Sequence, residues 1–351
     1  MPSAERTRQP GTRGAGRVTI KDVADAADVS VTTVSNALNG RSSAMSADTH
    51  ERVQQVMREM AFHPSRVARS LVHGRTATIG VVLAEIETPL FLQALNVMEP
   101  IARDAGYNIL MVNARHAGDE QHVVGLLLAK EIDGVIFLST SHYTQDTHLL
   151  PLQAAGVPVV LVNRATDADR FDRVDWANAG GVESAVAHLV RLGHRHIAHL
   201  HGPADRRSTA ERLLGYRRAL VTRDIQFQDS YTFLEDYTTA IDPWHEAVMR
   251  LLNLATPPTA IVTSDDTVAA IVMRAIQRAG LRVPEDIALI GIDDQPFSAY
   301  LNPALTTVRL PILAAGAHAM GMLLKRMNGT LTQPEHIVLP CHLVVRESCG
   351  A

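Results

Sequence analysis

The sequence predicts an α/β protein built as a small all-helical unit at the amino-terminal end, followed by a large body of two doubly wound lobes with parallel sheets. Three observations predict it. Between residues 18 and 60 apolar residues recur at helical spacing only. From Ile79 onward short β-rich runs alternate with helical stretches, the pattern of successive βαβ units. Charge is divided unevenly between the two parts: residues 1–75 hold 11 Lys+Arg against 7 Asp+Glu, a net of +4, and the remainder holds 22 against 30, a net of −8.

A chain of 351 residues exceeds one ordinary core, so two or three folding units are expected. Hydrophobic content of 46% with 20% charged residues lies in the globular range. The longest apolar runs, such as 157–162, fall far short of the roughly 20 residues that span a bilayer, and the first seventeen residues contain no apolar leader. A cytoplasmic protein with no membrane partner is the expectation. Cys341 and Cys349 match neither a disulfide framework nor a zinc cluster.

Residues 1–17, with Arg6, Arg8, Arg13 and Arg17 and no apolar period, read as a disordered basic arm. Thr19 with Asp22 three residues on makes a capping-box start for a helix whose Ile20, Val23, Ala24 and Ala27 form one apolar face. Ser30 caps a second helix. Its Val34, Ala37 and Leu38 point back to the first, leaving Val31, Thr32, Thr33, Ser35 and Asn36 outward. Those outer side chains are short and mostly polar, as a helix entering the major groove requires. Ser46 starts a third helix, with Val53, Val56, Met57 and Met60 on its inner face. Pro64 ends that run, and Ser65 caps a further short helix through Val72, too short to be stable alone, within a hinge and linker over 65–75.

The run V-T-I-K-D-V-A-D-A-A-D-V-S-V-T-T-V-S-N-A-L-N-G, followed by F-H-P-S-R-V-A-R-S-L, resembles the headpiece and hinge helix of the LacI/GalR repressor family. The resemblance makes residues 18–64 a helix-turn-helix domain and 65–75 a hinge. It places Val31, Thr32 and Asn36 at base-reading positions and Thr33 and Ser35 at phosphates, with the caps Thr19 and Ser30 beside them. It also puts Arg66 and Arg69 near the backbone and makes Leu71 the apolar wedge that kinks the operator through the minor groove.

In the body, strands are expected at T-I-G-V-V-L-A, Y-N-I-L-M-V-N, G-V-I-F-L-S, V-P-V-V-L-V-N, H-I-A-H-L-H, A-I-V-T-S and D-I-A-L-I-G-I-D-D, with helices near 90–105, 179–192 and 210–222 and one ending near 279. The segments L-G-H-R-H-I, E-R-L-L-G-Y-R-R-A-L, G-L-R-V-P-E-D-I-A-L-I-G-I-D-D and N-P-A-L-T-T-V resemble the periplasmic-binding-protein-like core of the same family. That resemblance implies three crossings between lobes, near Asp175, Val308 and Gln333. The N-lobe is then about 76–175 with 308–333, and the C-lobe about 176–307 with 334–351.

Ligands of such sheets bind at the carboxyl ends of strands. By resemblance, Arg212 and Asp293 clasp effector hydroxyls from opposite sides. Phe91, Asn163, Arg164, Ser208, Tyr237 and Ser264 are further matched positions, although Asn163 stands where Asp is frequent and Ser264 where Asn is frequent. Arg206 and Arg207 add cations near the cleft, which together with Arg164 and Arg212 favours an anionic effector such as a sugar acid.

His194, His196, His199 and His201 cluster on one strand, with His199 and His201 on a shared face, but no carboxylate or cysteine falls at ligand spacing and no metal is expected. P-loop, G-x-S-x-G, H-E-x-x-H and strand-linked G-x-G-x-x-G motifs are absent, so neither a cofactor nor an enzymatic activity is expected. The leading expectation is therefore an effector-controlled transcription regulator binding operator DNA. A solute-binding protein and an α/β sugar-processing enzyme are the alternatives. Family tetramers often carry a terminal leucine-rich segment, and only five residues follow Arg346, so a homodimer is expected.

Overall fold

A computed structural model describes residues 18–38, 45–62, 76–83, 89–114, 117–138, 146–164, 170–202, 206–234 and 241–351. The basic arm, the hinge segment with Arg66, Arg69 and Leu71, and Tyr237 lie outside the described residues. The chain forms two compact units, Met1–Thr76 and Ala77–Ala351.

In the first unit three helices, α1 (Ile20–Ala26), α2 (Val31–Leu38) and α3 (Ala47–Glu59), enclose one small core. Val23, Ala24, Ala27, Val34, Ala37, Val53 and Phe62 fill it, with Leu38, Val56, Met57 and Met60 packed around them. Each helix starts on a hydroxyl. Thr19 and Asp22 form a reciprocal capping box, with the Thr19 N–H and hydroxyl each donating to Asp22 Oδ2 over 2.7 Å. Those bonds hold the Asp22 carboxyl below the usual carboxylate range. Ser30 Oγ accepts the Thr33 N–H at 3.0 Å and Ser46 Oγ accepts the Thr49 N–H at 3.2 Å. Asp28, at φ 50, makes the turn between α1 and α2 in a conformation that Asp tolerates.

The body contains twelve described strands. In chain order these are β1 (Thr78–Leu83), β2 (Asn108–Asn113), β3 (Gly134–Leu138), β4 (Val159–Val162), β5 (Asp172–Trp176), β6 (Ile197–His201), β7 (Thr232–Leu234), β8 (Ala260–Val262), β9 (Ala288–Asp293), β10 (Thr306–Arg309), β11 (His336–Leu339) and β12 (His342–Val344). They build two sheets, β2-β1-β3-β4-β5-β11 and β7-β6-β8-β9-β10-β12. Every described pairing is parallel except β10 with β12. β3, β4, β6, β8 and β9 are buried along their whole length, because helices cover both faces, and all but β6, with its His199 and His201, read as essentially apolar runs.

The chain passes between sheets three times. The first crossing follows Trp176, where β5 feeds the helix Asn178–Arg191. The second follows β10, so Val308 itself belongs to the C-lobe, and the helix Ile312–Met327 returns to pack beneath the N-lobe sheet. The third, expected near Gln333, instead falls between Leu339 and His342. Residues 336–339 pair with β5 through His336–Arg173 and Leu339–Trp176 and so complete the N-lobe sheet. One apolar core runs through these crossings, from Met98 under the N-lobe to Ile290 under the C-lobe.

Helix packing at the first crossing depends on Gly215. A Cβ there would lie 2.8 Å from both the carbonyl carbon and Cα of Ala179, and closer still to the Ala179 oxygen. The helices Asn178–Arg191 and Arg207–Val221 therefore touch backbone to backbone, which brings the first turn of the second helix against the end of β5.

Candidate DNA interface and effector cleft

On α2, Val31 is 44% exposed and Thr32 is exposed, Thr33, Ser35 and Asn36 are half-buried, and Val34 and Ala37 are buried. The structure thus gathers the expected reading residues on one outward face. Thr33 is also tied inward, its hydroxyl 2.9 Å from Ser30 Oγ.

In the body, the described strand ends meet at the junction of the two lobes. Asn163, held at φ 51, directly follows β4, and β9 ends at Asp293 (φ 117), followed by Asp294 (φ 57). Two successive left-handed non-glycine residues store strain unless the surroundings fix them. Here Asp266, fully buried, accepts the Gln295 N–H at 2.7 Å, the Ser298 hydroxyl at 2.6 Å and the Thr307 hydroxyl at 2.5 Å. Arg309 and Arg346 each hold the Asp294 carboxylate at 2.6 Å. The turn that aims Asp293 is therefore pinned on both sides, and burial raises Asp266 to about 6.

Arg212, 7% exposed, donates through Nη1 to the Ser264 carbonyl at 2.6 Å, while its buried Nε has no hydrogen-bond partner within the chain. Burial raises the Asp293 carboxyl well above the usual range, against the lowering charge of Arg212. Ser264 is buried with its hydroxyl 3.1 Å from Asp265 Oδ2, and Asp265 caps the next helix through the Val268 N–H at 2.8 Å. Asn163 Oδ1 accepts from Asn178 at 3.2 Å, leaving its buried Nδ2 without a partner within the chain. Asn178 also donates to Glu211 at 2.9 Å. Ser208 is buried on the first turn of the helix that carries Arg212, Arg206 precedes that turn, and Phe91 is buried in the N-lobe helix Pro89–Asp104.

Arg164 departs from the expectation. Its guanidinium is fully buried inside the N-lobe, with Nε 2.9 Å from Asp146 Oδ1, Nη1 2.9 Å from Glu120 Oε1 and the ring of Phe137 beneath it. Its backbone carbonyl meets the other lobe, accepting from Arg207 Nη1 at 2.9 Å. Arg207 in turn bridges Asp175 at 3.1 Å and Glu211 at 2.6 Å. Two of the cations behind the anionic-effector expectation are thus already matched by carboxylates. Sequence reading missed Asn178, Glu211 and Asp265; the Arg207–Glu211 spacing of one helical turn was the available signal for Glu211.

His199 and His201 do share a face, with ring centroids 5.6 Å apart, but His199 Nδ1 bonds the Val262 carbonyl and burial lowers its pKa to about 3. Among the described residues, no group of three His, Cys, Asp or Glu is placed to hold a metal ion. A cavity of about 430 Å³ lined by Phe171, Arg173 and residues 333–336 lies at the amino ends of β5 and β11, away from the carboxyl ends where doubly wound sheets bind ligands. Among the described residues, no helix is long and apolar enough to cross a membrane.

A capped helix-turn-helix joined to two doubly wound lobes with polar strand ends at their junction defines a ligand-responsive DNA-binding regulator. Residues 19–65 match the family model of bacterial regulatory proteins, lacI family, and residues 186–349 match the periplasmic binding protein-like domain. The chain is 32% identical to the HTH-type transcriptional regulator CelR of Thermobifida fusca, over 95% of this chain and 98% of that protein. It is 33% identical to catabolite control protein A of Priestia megaterium, over 94% of this chain and 99% of that protein. Among solved structures, the Lac repressor dimer bound to operator and the anti-inducer ONPF superposes with a TM-score of 0.83 at 30% identity, covering 96% of this chain and all of that one. The CelR–cellobiose complex gives 0.71 at 31% identity, covering 95% and 100%. The chain belongs to the lacI family of bacterial regulatory proteins and is a transcriptional regulator with an effector-binding core.

Proposed function

We propose that the protein is a homodimeric, cytoplasmic repressor that places two α2 helices in successive major grooves of an operator. A small polyhydroxylated metabolite, bound between the lobes, controls its affinity for that operator. Val31, Thr32 and Asn36 read bases, Thr33 and Ser35 approach phosphates with the capped turns at Thr19 and Ser30, and segment 65–75 supplies Arg66, Arg69 and the Leu71 wedge. The observation that carries the effector reading is a set of buried polar atoms without a partner in the chain on elements beside the lobe junction: Asn163 Nδ2 just past β4 on one lobe, and Arg212 Nε and Thr209 Oγ1 on the helix Arg207–Val221 of the other. A buried donor left unpaired costs roughly 1–3 kcal/mol, which a ligand hydroxyl recovers.

Arg212 and Asp293 are the clasp in this reading, with Asn163, Ser208 and Ser264 as neighbours. Phe91, Arg206 and Tyr237 remain further effector contacts in this reading, and Arg164 acts through its carbonyl rather than its charge. A sugar suits the site better than a sugar acid, because Arg164 and Arg207 are already neutralised. The reading draws on the relatives, whose structures include a cellobiose complex and an operator complex.

The test is a gel shift with full-length protein and its upstream DNA, run against sugars first chosen by thermal stabilisation. A ligand at about 100 times its Kd adds roughly 2.7 kcal/mol. A stabilising sugar is expected to change retardation, and Arg212→Ala is expected to abolish that response while leaving DNA binding intact. A response that persists in Arg212→Ala overturns the assignment of the cleft.

A further inference from the structure

Arg207 opens the C-lobe helix that also carries Ser208 and Arg212, and its half-buried guanidinium reaches across to the N-lobe. Nη1 lies 3.1 Å from Asp175 Oδ2 on β5 and donates to the Arg164 carbonyl at 2.9 Å, while Nε donates to Glu211 on its own helix at 2.6 Å. One planar group is thus fixed from both lobes at once, which the rigid fork of arginine allows and the point charge of lysine does not. Asp175 Oδ2, almost fully buried, also lies 2.8 Å from His336 Nε2 on β11.

The same guanidinium is connected to an effector residue. Glu211 Oε2 accepts from Asn178 Nδ2 at 2.9 Å, and that nitrogen also donates to Asn163 Oδ1 at 3.2 Å. Asn178 is itself oriented by Trp176 Nε1, which donates to its Oδ1 at 3.1 Å. An unbroken run of bonds therefore leads from Asn163 through Asn178, Glu211 and Arg207 to Asp175. Asn163 and Asp175 belong to the N-lobe, and Asn178, Glu211 and Arg207 to the C-lobe, so the run crosses the junction twice. At its first member the free half of the amide, Nδ2, is buried without a partner in the chain. A ligand oxygen that takes Nδ2 and the Asn178 bond to Oδ1 act on one planar amide, and neither can turn it without the other.

Bonds of this kind fail once their partners separate by about 1 Å more, so the bridge between α-helical and sheet partners is either made or broken as the lobes move. Such a two-state element, biased from both ends, is what coupling between distant sites requires. The chain enters the body at β1 of the N-lobe, so a shift between lobes acts on the strand to which the DNA-reading unit is attached.

We propose that Arg207 is the coupling residue of the body: its bridge to Asp175 and the Arg164 carbonyl carries occupancy of the cleft into the relative position of the lobes, and so to the operator. It is a positioning residue, set beside the effector rather than on it. This inference rests on the effector reading of the cleft.

The experiment uses full-length protein, its upstream DNA, and whichever of glucose, galactose, ribose and cellobiose stabilises it most. Sugar affinity is read by calorimetry, and operator affinity by anisotropy with and without saturating sugar. In the parent the sugar is expected to change operator affinity by a factor of about 5–150. Arg207→Gln is expected to cut that factor below about twofold while sugar affinity stays within about threefold, unlike Arg212→Ala, which loses the sugar. Asp175 keeps His336 in this variant, so no bare carboxylate is left buried. Arg326→Gln is the matched control. It takes an arginine of similar exposure from Asp172, equally buried, but within the N-lobe alone, and Asp172 keeps the Glu335 N–H. That variant should retain the parent factor whatever it costs in Tm. A parent-like factor in Arg207→Gln overturns the inference and leaves the effector reading standing, as does an equal loss in Arg326→Gln. No sugar response in the parent overturns both. Should Arg207→Gln fail to fold, Arg207→Lys decides: the factor is expected to fall severalfold, and an unchanged factor overturns the inference.

Discussion

Gly215→Ala in the helix Arg207–Val221 should weaken both the fold and the effector site, although alanine is the better helix former. Alanine gains about 0.5–1 kcal/mol over glycine inside a helix. Against that, the new methyl meets the Ala179 backbone, 2.8 Å from its Cα and carbonyl carbon, and backbone cannot rotate away as a side chain would. Restoring contact distances of about 3.5–4 Å moves the helix outward by on the order of 1 Å, and overpacking of this kind costs roughly 1–3 kcal/mol or more. The net expectation is a loss of up to about 2 kcal/mol, or a Tm lower by about 2–8 °C for a body of this size. The same helix carries Arg207, Ser208, Glu211 and Arg212, so effector affinity falls with it. Gly125→Ala is the control. Gly125 lies inside the helix Ala117–Ala129 with nothing within 4 Å of its Cβ position, and there alanine should raise Tm by a degree or two. Calorimetric melting of the two variants beside the parent is the assay. A Gly215→Ala protein that melts at or above the parent temperature, with effector affinity unchanged, refutes the claim that these helices meet backbone to backbone.

Arg164→Met strands Glu120 and Asp146 in the N-lobe and should cost about 3–5 kcal/mol in urea denaturation; a loss under 1 kcal/mol contradicts the buried network. His199 is lowered from 6.5 to about 3, so its contribution to stability is fully present above 6.5 and is lost as pH falls toward 3, at up to about 1.4 kcal/mol per unit. Asp266, raised from 3.8 to about 6, acts in the opposite sense: its contribution is present below 3.8 and lost as pH rises through 6. Denaturation midpoints between pH 7.5 and 5 should therefore fall, less steeply in His199→Phe and more steeply in Asp266→Asn, and parallel slopes in all three proteins count against both assignments. Thr32→Ala and Asn36→Ala should each weaken specific operator binding by about 1–3 kcal/mol with Tm unchanged, measured by fluorescence anisotropy; an equal loss on scrambled DNA makes them phosphate contacts instead.

What was legible in the sequence follows from what its signals encode. β3, β4 and β9 stood out because burial on both faces forces an apolar run, and the three capped helices stood out because Thr19, Ser30 and Ser46 each precede a periodic stretch. β5 and β10 did not. β5 reads D-R-V-D-W, and its charges are tolerated because Arg326 holds Asp172 at 2.7 Å, while His336 and Arg207 hold Asp175 at 2.8 and 3.1 Å. β10 reads T-T-V-R, and its two fully buried threonines are matched by the Arg346 carbonyl and by Asp266. The misplaced third crossing has a related origin, since β11 is a half-exposed edge strand whose apolar run is only the three residues Ile337, Val338 and Leu339. For the cleft, position alone could nominate Arg212 and Asp293. The capture of Arg164 lay beyond it, because its carboxylates lie 44 and 18 residues away and only the folded chain brings them together.

The threefold crossing between lobes also sets a timetable for synthesis. The N-lobe core takes Ala315, Ala319, Met320 and Leu323 from the helix Ile312–Met327 and its edge strand from 336–339, and the C-lobe takes β12 and the Ser348 bond to the Leu289 carbonyl. Neither lobe can close until nearly the whole body has left the ribosome. The three-helix unit, complete within its own residues, has everything it needs some 270 residues earlier, about 15–55 s at ordinary translation rates. For that interval a nascent chain carries a finished DNA-reading surface with no effector control over it.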